Sequence, residues 1–117
     1  MMIRLSFAAL ALATLVGCAS DPAPLEQMKL TEQALEQARA VGATDEQSEL
    51  QAAEGKFAQA RADMNAQAFK DARFNAEQAE LDARLAEAKV LTLKGREQVD
   101  QLNTRLNRLR KQLGEKQ

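Results

Sequence analysis

Residues 67–114 read QAFKDARFNAEQAELDARLAEAKVLTLKGREQVDQLNTRLNRLRKQLG, and this stretch decides the fold. It holds no proline, and Gly95 is its only interior glycine. Ala, Leu, Glu, Gln, Lys and Arg dominate it, all strong helix formers. The pattern predicts one helix of about 70 Å at 1.5 Å per residue. Two apolar seams run along it. The first is Phe69, Ala72, Ala76, Ala79, Ala83, Ala86, Val90 and Leu93, mostly Ala, so partner helices can come close. The second is Phe74, Leu81, Leu85, Ala88, Thr92, Gly95, Val99, Leu102, Leu106, Leu109 and Leu113. Near Lys94 and Gly95 the first seam stops, and only a coiled-coil heptad stripe continues.

Upstream, two shorter helices are predicted at 25–41 and 45–62. In the first, Leu25, Met28, Leu35 and Ala38 share a face, with Ala34 and Val41 beside it. Gly42 follows as a C-cap, where positive φ is free of cost. Thr44 and Gln47 have the spacing of a capping box. In the second, Leu50, Ala53, Phe57, Ala60 and Met64 form one stripe at helical spacing. Gly55 weakens that helix or admits a close neighbour. Residues 63–65 read as a tight turn with Asn65 as the next N-cap. Phe69 follows Met64 by five, which breaks the phase of a continuous rod. Short loops make sequential neighbours antiparallel. The expected architecture is therefore all-α: a small antiparallel bundle of helices 25–41, 45–62 and 67–114, with the end of the last projecting as a coiled coil.

Composition narrows the chemistry. The chain has 117 residues and a net charge of −1, so it is neither an acidic disordered tail nor a basic nucleic-acid binder. It has no His, no Trp and one Cys, which removes Cys/His zinc sites, His-based triads and any intrachain disulfide. Beyond residue 17 there is no Ile, and Val occurs only at Val41, Val90 and Val99, too little to build a sheet. No cofactor and no metal ligand set are expected.

The first residues read as an address. Arg4 precedes an apolar run at 5–16, too short for the ~20 residues a bilayer span needs. A charged start, a short apolar core and small residues make a signal peptide over 1–17. It ends in Leu15, Val16, Gly17 and Cys18, a bacterial lipobox. Cys18 is the expected lipidation site, and several acyl chains at ~0.8 kcal/mol per buried CH₂ would hold the body on a membrane. Ala19 and Ser20 stand where Gram-negative lipoproteins carry a sorting signal; Ala19, rather than Asp, points to the outer membrane. Residues 18–24 hold both prolines and read as a short extended tether. The expected division is 1–17 signal, 18–24 lipidated tether, 25–93 bundle and 94–117 coiled-coil extension.

Three features together resemble the domain of unknown function 4398 family of proteobacterial envelope lipoproteins. They are the lipobox and tether before a helix closing in Ala40, Val41, Gly42 and Ala43, the run 64–72, and the run 76–83. The resemblance covers roughly 25–89. It implies a helical, repeat-like structure without established enzymatic activity. Some relatives carry a C-terminal peptidoglycan-binding domain of the OmpA type; here a Leu-heptad tail stands in that place. Murein lipoprotein is a looser likeness, but Lys116 is followed by Gln117, so covalent attachment to peptidoglycan is not implied.

Candidate sites are few. Glu46 with Glu49 and Glu77 with Glu80 are spaced as carboxylate pairs, better explained as solvated helix faces than as acid/base or ion sites. Arg105, Arg108, Arg110 and Lys111 form a basic patch. From 94 to 117 there are seven basic and three acidic residues, hence +4; from 18 to 93 there are eight and fourteen, hence −6. Val99, Leu102, Leu106, Leu109 and Leu113 extend beyond any segment able to cover them, an interface for a second copy or for an envelope protein. The expected function is a non-enzymatic outer-membrane lipoprotein facing the periplasm, serving envelope structure or assembly. Alternatives are a module tethering cell-wall polymer (peptidoglycan) through the basic end, or a docking regulator of a periplasmic enzyme. Nucleic acid is not expected for an exported chain without stacking aromatics.

Overall fold

The computed structural model describes residues 21–45 and 47–114. Three helices follow in order: α1 (Leu25–Ala40), α2 (Ser48–Asn65) and α3 (Phe69–Gly114). The described residues contain no strand, and the protein is all-α with a long projecting helix, as the pattern predicts. The signal segment, Cys18, Ala19, Ser20 and Glu46 lie outside the described residues.

Both helix ends that precede a reversal close in the same way. At α1, Gly42 sits at φ 105°, its N–H donates to the Arg39 carbonyl at 2.9 Å, and the Ala43 N–H donates to the Ala38 carbonyl at 2.9 Å. At α2, Gln67 sits at φ 59°, donating to Met64 at 3.1 Å, while Ala68 donates to Asp63 at 2.9 Å. These are Schellman closures, one on the glycine expected and one on a glutamine.

Two boundaries differ from expectation. α2 begins at Ser48, not 45, because the Thr44 carbonyl accepts the Gln47 N–H at 2.9 Å and closes a turn ahead of the helix. Thr44 is then too far out to cap, and Gln47 takes the N-cap place without a side-chain bond. α2 also continues through residues 63–65 instead of turning there. The left-handed residue that reverses the chain is Gln67, and Asn65 stays helical.

Cross-helix contacts fix the topology. Gln27 meets Glu80 and Gln37 meets Glu87, so α1 runs parallel to α3. Lys56 meets Asp82 and Asp63 meets Asn75, so α2 runs antiparallel to α3. Arg39 pairs with Glu54 and Arg61 with Glu32, clamping α1 to α2 antiparallel. The result is an up-down-up bundle.

Its core is the Ala seam of α3. Ala72, Ala76, Ala79, Ala83 and Ala86 are wholly buried, and Leu35, Leu50, Phe57 and Val90 pack into the space that small residues leave. Thr31 is the one polar residue among them. Its Oγ1 lies 2.9 Å from both the Gln27 and the Ala76 carbonyls, and its single proton bonds one at a time. The bundle closes where the Lys94 ammonium donates to the Val41 carbonyl at 2.6 Å, satisfying an orphan carbonyl at the end of α1.

Three expected core contributions are absent. Leu25 is 68% exposed, at the rim of a shallow groove it lines with Arg73 and Glu77 of α3 instead of in the core. Leu93 is exposed because α1 and α2 no longer face α3 at that level; the buried seam ends at Val90. Gly55 admits no neighbour, and a Cβ there would meet open space.

Candidate functional site

The candidate site is a surface, set by how α3 divides its circumference. Residues 76, 79, 83, 86 and 90 face α1 and α2. In the heptad of the second seam these are b and f positions, opposite the a/d stripe. The stripe therefore points away from the bundle along the whole helix. Val99, Leu102, Leu106, Leu109 and Leu113 are 50–69% exposed. Phe74, Leu81 and Leu85 are exposed as well, at 61%, 60% and 47%. α1 and α2 therefore leave the first half of this stripe uncovered as well. Each short helix has one narrow apolar face, and both faces are spent on the Ala seam. The signal that could have found this is the phase relation itself: seams on opposite sides of one helix cannot share a cover.

The basic residues do not form one patch. At about 100° per residue, Arg105, Arg108 and Lys111 wind round one side of α3 while Arg110 falls on the other. Arg105 and Arg110 flank the apolar stripe, and all four side chains are exposed. The arrangement is a collar of positive charge with the Leu row running through it.

The carboxylates serve as links between helices. Glu80 accepts from Gln27 Nε2 of α1 at 2.7 Å and from Arg84 Nε at 2.9 Å. Those donors hold its pKa below the ordinary 4.5. Glu49 of α2 pairs with Lys89 of α3, and that bond lowers its pKa likewise. Glu77 has no ion pair among the described residues and lies exposed beside the stripe. Among the described residues no cluster of His, Cys, Asp and Glu could hold a metal ion, and no helix is long and apolar enough to cross a membrane. A shallow groove of about 320 Å³ separates α1 and α2, lined by Leu35 and Phe57. The ion pairs of Arg39 with Glu54 and Arg61 with Glu32 span it, and the Arg61 guanidinium lies 4.4 Å over the Phe57 ring.

The model of the domain of unknown function DUF4398 matches residues 26–102. The chain belongs to the DUF4398 family. It is similar to a solved DUF4398 family protein from Pseudomonas aeruginosa, at 64% identity and a TM-score of 0.79. That alignment covers 82% of this chain and all of the solved one. No curated protein matches the chain. The family match takes in the bundle and the start of the projecting segment, running along α3 as far as Leu102.

Proposed function

We propose that this DUF4398 protein is a non-enzymatic lipoprotein of the outer membrane. In this reading its helical rod lies in the periplasm and serves envelope structure or assembly. The observation that carries the reading is the long exposed stripe of α3, a contact surface on a rigid arm and not a cleft that encloses a small molecule. The lipobox ending in Cys18 supports membrane attachment, and Ala19 with Ser20 supports the outer membrane as destination. Because α1 runs parallel to α3, the tether enters at the bundle end and the tail points away from it. An anchored molecule would thus reach outward from the membrane or lie along it.

The test is metabolic labelling with a tagged fatty acid, followed by membrane fractionation. Wild type should carry label and Cys18→Ala should not; Ala19→Asp should shift the protein toward the inner membrane. Equal labelling of wild type and Cys18→Ala would overturn the reading. The collar of Arg105, Arg108, Arg110 and Lys111 favours one second reading, a tether that binds anionic cell-wall polymer. Sedimentation with purified sacculi, lost when the four are replaced by Gln, would support it over the first.

A further inference from the structure

We propose that the stripe of α3 is covered by a second copy of the same chain, running antiparallel. The tail of each copy would then lie on the bundle half of the other. The proposal rests on the stripe alone and does not depend on lipidation.

The stripe is longer than the tail. With Gln78 included, its members from Phe74 to Leu113 step by four and three without interruption, close to six heptads. Apart from the half-buried Gln78 and Gly95 the row is exposed, and α1 and α2 lie on the far side of α3, so among the described residues this face is open to a partner helix along its length. The bundle half of α3 and its tail are also nearly equal: residues 69–93 against 94–114.

Charge chooses the direction. In a parallel, in-register pair, each g position meets the e position five residues on in the other copy. Glu77 would then meet Asp82, Arg84 would meet Lys89 and Arg105 would meet Arg110. Every charged pairing is between like charges, and symmetry doubles each one. Reversing one copy lays the tail, residues 94–114 with six basic and two acidic side chains and hence +4, on the bundle half of α3, residues 69–93 with four basic and five acidic and hence −1, and brings Arg105 within reach of Glu77. In that arrangement Arg84 and Lys89 approach other cations, but each is already paired inside its own chain, with Glu80 and Glu49.

Side-chain size agrees. Full antiparallel overlap sets Leu85 against Leu102, Leu81 against Leu106 and Phe74 against Leu113. At the centre, small meets larger: Ala88 faces Val99 and Gly95 faces Thr92. The parallel pair instead stacks Ala88 on Ala88 and Gly95 on Gly95, leaving a void where dispersion contacts are lost.

The experiment uses the purified full chain in mild detergent with Cys18→Ala as background. Chains carrying Leu85→Cys are mixed with chains carrying Leu102→Cys and oxidised. Disulfide dimer should form from the mixture and hardly at all from either chain alone. Both positions are exposed, so the bundle stays folded. Self-crosslinking of each chain alone would mean parallel pairing and overturn the proposal. So would a monomer in sedimentation equilibrium with no crosslink. Charge gives an independent reading. Glu77→Arg should weaken the dimer about five- to ten-fold, and adding Arg105→Glu should restore it. In a parallel pair Glu77→Arg would face Asp82 and strengthen it, so strengthening or no change overturns the proposal as well.

Discussion

The two halves of α3 are one continuous helix with opposite economies. The bundle half buries residues that have almost no side chain, and the tail exposes residues that have large ones. Ala83 is wholly buried while Leu106, in the same helix, is half exposed. Hydrophobicity of a single residue therefore says little here about where it sits. What decides is phase: a small residue on the b/f side lets two helices approach, and their own Leu and Phe then fill the gap. A large residue on the a/d side has no helix of its own chain to meet.

The sharpest way to break this contrast is to make the same deletion on both sides. Leu50→Ala removes a fully buried side chain from α2 and should cost ~2–5 kcal/mol. Leu109→Ala, in the tail, should change the bundle's stability by no more than ~0.5 kcal/mol. Thermal denaturation followed by circular dichroism checks both at protein concentrations where the chain is monomeric. Equal losses would mean the tail belongs to the cooperative unit.

The reverse substitution sharpens it. Ala83→Leu adds three carbons where α1 and α2 meet the seam, and overpacking of that kind costs ~1–3 kcal/mol. Ala88→Leu adds them on the exposed face, within the stripe, and should leave the denaturant midpoint of the monomer unchanged. A destabilised Ala88→Leu would place that residue against the bundle.

Thr31→Val tests the polar contact in the core. Its hydroxyl makes the buried side-chain bond that joins α1 to the α3 backbone. The carbonyls it serves lie within helices, where backbone bonds already engage them. Losing the hydroxyl should then cost about 1 kcal/mol and no more. Urea denaturation measures it, and a loss above ~3 kcal/mol would show that the hydroxyl satisfies a group otherwise stranded.

The architecture was legible in the sequence because period and breakers agree. The absence of proline after Pro24 and the seam of Ala every three or four residues point to the same up-down-up packing. Thr31 was not legible, although it stands between Met28 and Leu35 at core spacing, because a hydroxyl in a helix is read as surface until its carbonyl partner is known. The reversal at Gln67 was missed for a related reason. The residue type that signals left-handed backbone is Gly or Asn, and Asn65 stood two places away. The exposed stripe beside the bundle was half legible. Its members were visible, but their phase against the Ala seam shows what covers them only when both seams are placed on one cylinder.

Gln67 supplies a smaller test. The two Schellman closures differ in one respect: Gly42 takes φ 105° freely, whereas Gln67 holds φ 59° with a Cβ that resists it. Gln67→Gly should raise stability by about 0.5–1 kcal/mol, and Gly42→Ala should lower it by about 1 kcal/mol or more. Guanidinium midpoints read both. A loss on Gln67→Gly would mean that the glutamine side chain contributes more than its backbone costs.

The smallest effect is one of pH, and it again separates the halves of α3. Glu80 sits on the bundle half, and its carboxylate accepts from Gln27 of α1 and from Arg84 one turn along. Both donors favour the charged form, so its pKa in the folded state lies below the ordinary 4.5. The sign follows from linkage. The unfolded chain binds the proton first as pH falls, so the bond's contribution is complete above 4.5 and is lost as pH drops through the lower folded value. Glu80→Gln keeps the shape but removes the charge, and should flatten the stability profile below pH 4.5 by roughly 0.2–1 kcal/mol, the range of a single ion pair with limited burial. Glu97, on the tail, makes its hydrogen bond within α3, accepting from Gln101 one turn along at 3.5 Å. Chemical denaturation of wild type and Glu80→Gln at a series of pH values reads the effect. Identical profiles for the two would mean that the link from α1 to Glu80 contributes nothing in solution.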